Sequence, residues 1–131
     1  MSGPLIFISH SRIKPGKEEQ YRSHVTAATE LVELDEPRMI AFNSYRSEAG
    51  TDVSTVQIHP DADSLDTHLK LFQERLSDRA FDALDSYEIN IFGTPSEAAR
   101  ESLTQMTTHV PGLRLRVLPL HEAGFLRPQP M

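Results

Sequence analysis

Cysteine and tryptophan are both missing from this 131-residue chain. Without thiols there can be no disulfide, no sulfur ligand for a metal and no thiolate nucleophile. That absence suits a reducing compartment, and a cytoplasmic location is expected. Long apolar runs are missing as well. Leu5-Ile6-Phe7-Ile8 near the N-terminus is only four residues long, whereas a membrane span needs about 18. No basic region precedes it in MSGPLIFISHSR, so no signal peptide is expected. Nor is there an excess of positive charge. Thirteen Lys and Arg stand against 19 Asp and Glu, a net charge of −6, so neither nucleic acid nor a membrane surface is an expected partner. The sequence holds no P-loop, no GxGxxG and no G-x-S-x-G, which leaves nucleotide-dependent and serine-hydrolase mechanisms without support.

What is present is a regular alternation of strand and helix signals. Leu5–Ile13 reads as a strand that begins apolar on both faces, then separates them: His10 and Arg12 share a side with Ile6 and Ile8. Lys14-Pro15-Gly16-Lys17 breaks it. A helix follows from about Pro15 to Leu34, with a stripe of Tyr21, Val25, Ala28 and Val32, and ends at Asp35-Glu36-Pro37 because a residue before proline leaves the α region. Met39–Arg46 and Val53–His59 are predicted to pair as an antiparallel hairpin. After Pro60, either Asp61 or Asp63 could cap a helix running to about Ser77, whose stripe is Leu65, Leu69, Phe72 and Leu76. His68 sits on the edge of that stripe. The stretch from 78 to 85 has mixed signals, and Tyr87–Phe92 is the fourth strand.

The order β-α-β-β-α-β predicts a ferredoxin-like α+β domain over residues 1–93. Residues 94–131 are expected to extend the same domain. Thr94-Pro95-Ser96-Glu97 signals a helix start with Thr94 as cap, and Leu113–Leu118 an edge-like strand carrying Arg114 and Arg116. The end, RPQPM, reads as an arm. Both core helices would lie on one face of the sheet, so the other face needs cover, which the extension or a second subunit could supply.

Three segments together, RIKPGKEEQYRSHV, the hairpin and SLDTHL, resemble the antibiotic biosynthesis monooxygenase-like superfamily over about Ile6 to Gly93. The resemblance implies a dimeric α/β barrel in which two ferredoxin-like sheets pack face to face, hence a homodimer. It implies a cavity in each subunit for a small apolar or phenolic molecule. Chemistries in the group include cofactor-free oxygenation of phenols, haem degradation, and isomerisation or decarboxylation of small metabolites. His68 matches a histidine often found on the second helix. His59 stands where several relatives carry an aromatic residue, frequently Trp, and the lack of Trp speaks against the haem-degrading Asn-Trp-His set.

Cofactor-free oxygenation needs a base to take the proton of a phenol or enol, and donors to hold the oxyanion. A neutral imidazole suits the first role. His68 is the candidate base, with His59 or His10 as alternatives; Arg12, Asn43, Tyr45 and Arg46 are candidate positioning groups on the strands. The catalytic expectation is therefore His68 and His59, with His10, Arg12, Asn43 and Tyr45 binding substrate. None of the six histidines has metal-binding spacing, so neither metal nor cofactor is expected. The rival expectation is a non-catalytic ligand-binding or structural dimer of the same fold.

Overall fold

Alternation in the sequence becomes five strands: β1 (Leu5–Ile13), β2 (Ala41–Arg46), β3 (Asp52–His59), β4 (Leu84–Phe92) and β5 (Leu113–Leu118). The structure, a computed structural model, describes residues 3–127; residues 1–2 and 128–131, the latter ending the arm, lie outside the described residues. One sheet runs in the order β2-β3-β1-β4-β5. Its first four strands are antiparallel neighbours in the ferredoxin-like arrangement, as predicted, and β5 adds one parallel pair beside β4. Helices α1 (Glu18–Asp35), α2 (Ala62–Leu71), α3 (Ser77–Ala80) and α4 (Glu97–His109) complete the fold. No helix of the described residues is long and apolar enough to cross a membrane.

Strand parity decides which side chains meet the helices. In β1 the odd residues Leu5, Phe7, Ser11 and Ile13 are buried, whereas Ile6, His10 and Arg12 are exposed. Register then carries that face across the sheet. Phe7 stands opposite Gln57 and Ile91, Ser9 opposite Thr55 and Ile89, and Phe42 opposite Gln57. Leu5, Phe7, Ile89 and Ile91 form one core with Leu65 and Leu69 of α2 and Ala99 and Leu103 of α4. Each such large side chain removed from water contributes about 1.5–3 kcal/mol.

Several boundaries differ from the sequence reading, β2 starting at Ala41 rather than Met39 and β3 at Asp52 rather than Val53. Helix α1 starts at Glu18 rather than Pro15, because Lys14–Lys17 is a turn closed by the Lys17 N–H donating to the Lys14 carbonyl, 3.0 Å away. Strand β4 starts at Leu84, ahead of Tyr87, with a register shift opposite Ser11 and Arg12. Ser96, not Thr94, caps α4: its Oγ accepts from the Ala99 N–H at 3.0 Å and donates to Asp66 Oδ1 at 2.6 Å. Asp61 is the cap of α2, accepting from Ser64 N–H.

The second helix is not uniform. Between α2 and α3, residues Phe72–Leu76 form a π-helical turn in which the Ser77 N–H reaches back to the Phe72 carbonyl. Phe72 and Leu76, the first and last residues of this turn, both line the space under the helix. At the other end of the sheet, β4 stops at Gly93 with φ of +119°, where a Cβ would lie 2.9 Å from the Pro4 carbonyl oxygen. Only glycine fits that approach.

The extension does not cover the bare side of the sheet. Strand β4, helix α4 and strand β5 form a parallel crossover, and α4 packs its Ala99 and Leu103 onto the face that already carries α2. The opposite face stays open, with Ile6, Tyr45 and Leu118 exposed on it. Beyond β5, Leu120, Phe125 and Leu126 are also exposed.

Candidate active site

Where α1 ends, Glu36 is turned inward. Its N–H still donates to the Val32 carbonyl at 2.9 Å, but Pro37 forces the chain out of the helix at once. The Glu36 side chain is thereby buried beneath α2. On α2 the buried residues are Ser64, Leu65, His68 and Leu69, so His68 lies within the buried stripe and not at its edge. Its Nδ1–H donates to Glu36 Oε2 at 2.8 Å, with both side chains almost wholly buried. Glu36 Oε1 has no partner among the described residues. His68 Nε2 has none either, and the ring lines a cavity.

That cavity has a volume of about 100 Å³ and lies between the sheet and the helices. Its walls are chiefly apolar: Phe7, Phe42, Leu69, Phe72, Leu103 and Met106 among others. The polar groups on the wall are few, and they include His68, Gln57, His24, Tyr21 and Tyr87. Burial pushes the Tyr21 phenol up and that of Tyr87 up to about 12. Both hydroxyls therefore stay protonated at neutral pH and can only bond, not act as bases. Towards solvent the cavity shares Tyr21, His24, Leu76 and Ala80 with a groove of about 800 Å³ between α1 and the π-turn and α3. Burial, then the nearby Arg79, lowers the pKa of His24 at this mouth.

His59 is near His68 but does a different job. It is fully buried at the end of β3, its ring 6.0 Å from that of His68. The Ser64 hydroxyl donates to its Nδ1 at 2.8 Å, and its Nε2–H donates to Gln57 Oε1 at 2.9 Å. Burial, and secondarily the charge of His68, brings its pKa down to about 4. With both nitrogens engaged and no place on the cavity wall, it cannot touch a ligand there.

The two expected catalytic histidines are thus neighbours, but the four expected substrate-binding residues are not with them. His10, Arg12, Asn43 and Tyr45 lie on the open face of the sheet, opposite the cavity. The parity of each strand was readable; which parity the helices cover was not. On that face His10 Nδ1 lies 2.8 Å from Ser54 Oγ, and Asp52 stands 3.8 Å from His10 and 3.9 Å from Arg12. Asn43 and Tyr45 are exposed. Conversely, Glu36, Gln57 and His24 were missed. His24 carried a signal, falling three residues after Tyr21 and four before Ala28 on the buried stripe. Glu36 looked like a helix end and nothing more. Among the described residues no three His, Asp or Glu side chains are grouped to hold a metal ion.

This architecture recurs in solved structures. MupZ from Pseudomonas fluorescens superposes with a TM-score of 0.68 at 18% identity, covering 96% of both chains and hence the α4–β5 extension. The structure described as "Putative antibiotic biosynthesis monooxygenase from Nitrosomonas europaea" gives a TM-score of 0.60 at 15% identity, covering 72% of this chain and 92% of that one. A conserved protein from Methanosarcina mazei gives 0.60 at 22% identity, over 69% and 91%. The chain has the antibiotic biosynthesis monooxygenase-like fold. No protein-family model matches the sequence, and no curated protein matches it. Among the described residues, the buried Glu36–His68 pair holds one imidazole nitrogen on a carboxylate and leaves the ring at the cavity wall.

Proposed function

We propose that this protein is a cofactor-independent, monooxygenase-like enzyme acting on a small, mostly apolar phenol or enol, with His68 as its base. The observation that supports this reading best is the Glu36–His68 pair, which leaves Nε2 unbonded at an apolar cavity. Glu36 fixes the Nδ1–H tautomer, so the lone pair is on Nε2, and its carboxylate balances the imidazolium formed when Nε2 takes a proton. The substrate O–H bond breaks and an N–H bond forms on His68. The resulting anion is the electron donor: dioxygen adds at a ring carbon bearing hydrogen, the peroxide takes the proton back from His68, and the hydroperoxide loses water to leave a carbonyl. One oxygen atom enters the product and the other leaves as water, so no external reductant is needed. The names of the fold neighbours favour oxygen as the second reactant.

Size narrows the substrate. An apolar cavity of about 150 Å³ takes a benzene ring, so at about 100 Å³ this one takes no more than a single ring. A larger molecule would leave its remainder in the outer groove. The open sheet face, with Ile6, Ile8, Val56 and Ile58 on one side of two adjacent strands, is the surface through which a homodimer would form.

An oxygen electrode and a panel of single-ring hydroquinones and enols test the reading. Wild-type consumption that falls about 10²-fold or more in His68→Gln supports a catalytic base. Ligands that bind in the cavity with no turnover in wild type would replace the enzyme with a binding protein.

A further inference from the structure

We infer that Gln57 is the oxyanion donor of this cavity and that His59 and Ser64 are positioning residues that hold its amide in place. The inference rests on the reading of His68 as base and goes beyond it by naming the group that receives the charge His68 creates.

Gln57 is a buried polar residue in the middle of a strand, flanked by Phe7 on β1 and Phe42 on β2. Such a residue must find partners for both ends of its amide. Its oxygen has one, the Nε2–H of His59. Its nitrogen has none among the described residues, yet is not a sealed-off orphan, and the side chain lines the cavity. The NH₂ group therefore faces the cavity with its donors free. With Oε1 as acceptor, His59 donates from Nε2–H and accepts at Nδ1 from the Ser64 hydroxyl, so the three groups form one self-consistent chain with the NH₂ turned inward. Each link determines the next, since an imidazole that accepts at Nδ1 must donate at Nε2 while neutral. A neutral donor held in a low-dielectric wall is suited to stabilise an oxyanion without reorganising.

The position also fits the chemistry. His68 and Gln57 line the same ring-sized cavity, so a single phenol can give its proton to the first and keep the oxygen's charge beside the second. A cationic donor would draw in any anion, whereas an amide carries no net charge and simply bonds the phenolate oxygen more strongly than the neutral one.

The test uses 4-nitrophenol, a single-ring phenol whose ionised form absorbs visible light, bound to the full-length protein. Wild type should raise the phenolate-to-phenol ratio of bound probe at least tenfold over free probe. Gln57→Glu keeps the acceptor for His59 but replaces the donor with an oxygen, and should lose about tenfold or more of that preference. His59→Phe should lose part of it while the probe still binds. If wild type ionises the probe and Gln57→Glu does so equally, the inference falls and His68 stands as base. If wild type does not ionise it, or does not bind it, both fall. Should Gln57→Glu fail to fold, ring nitrogen shifts of His59 in the wild-type protein decide. The Nε2–H tautomer supports the inference, and the Nδ1–H tautomer, which would turn the amide oxygen into the cavity, overturns it.

Discussion

His59 should make this protein's stability depend on pH in a window where most proteins are indifferent. In the unfolded chain its imidazole titrates near the ordinary value of 6.5, and in the folded chain near 4. Between those values the unfolded state binds the extra proton and the folded state does not, so stability rises with pH. The stabilisation is complete at neutral pH and is lost as pH falls from 6.5 towards 4. The full difference corresponds to roughly 3 kcal/mol, with a slope approaching about 1.4 kcal/mol per pH unit in mid-window. Burial is the main cause, and the second is His68, 6.0 Å away. The Asp61 carboxylate at the start of α2 opposes both.

Urea denaturation at pH 7.5, 6.5, 5.5 and 4.5 would measure the effect, with His59→Gln as reference so that other carboxylates and histidines cancel. Wild type should lose a few kcal/mol more than the variant across that range. An identical slope in the two proteins would refute the reasoning. So would an NMR titration placing the His59 ring near 6.5, because the structure gives that ring no access to solvent.

His68→Leu should cost about 3–5 kcal/mol, since it strands the Glu36 carboxylate without its donor, and adding Glu36→Leu should recover much of the loss; chemical denaturation of the two singles and the double measures it. Gly93→Ala should destabilise by about 2 kcal/mol or more, because φ is +119° and the new Cβ meets the Pro4 carbonyl oxygen at 2.9 Å. Thermal or urea melts give that value, and a loss below 0.5 kcal/mol would mean the β4 end relaxes freely. Sedimentation at micromolar concentration should find a dimer that Ile8→Glu dissociates; a wild-type monomer would leave the open sheet face without its proposed cover.

The fold was legible because its signals are local. Period-two alternation in β1 and β3, proline at 37 and 60, and the four-three-four spacing of Leu65, Leu69, Phe72 and Leu76 each act within a few residues. The site was legible only in its histidines. Glu36 reaches His68 across 32 positions in sequence, and nothing in Asp-Glu-Pro announces that its carboxylate will be buried. Gln57 was hidden for a related reason: a polar residue in a strand reads as solvent-facing, and here parity carries it inward between two phenylalanines. The same parity sends His10, Arg12, Asn43 and Tyr45 outward. One choice, which face of β1 the helices cover, thus decides the fate of these five residues at once, and only the tertiary structure makes it.

On the proposed reading, the physical problem for this domain is to keep a base available inside an apolar wall. A lone buried imidazole tends to stay neutral but is free to turn, while one paired at both nitrogens is fixed but idle. His59 shows the second condition, and its bonds run through Gln57 to the cavity. His68 has one nitrogen tied to a carboxylate and the other left open, which fixes the ring without spending the lone pair. That carboxylate has an orphaned oxygen, Glu36 Oε1, at a cost of about 1–3 kcal/mol in a folded state with little to spare. A purely structural pair would gain by giving that oxygen a hydroxyl or amide partner. On the proposed reading, a carboxylate with no second donor among the described residues keeps its negative charge directed at His68. Glu36→Gln keeps an acceptor for the His68 Nδ1–H but removes the charge, and should therefore slow any proton abstraction at His68. Equal or faster abstraction in Glu36→Gln would show that the carboxylate's charge has no part in the chemistry.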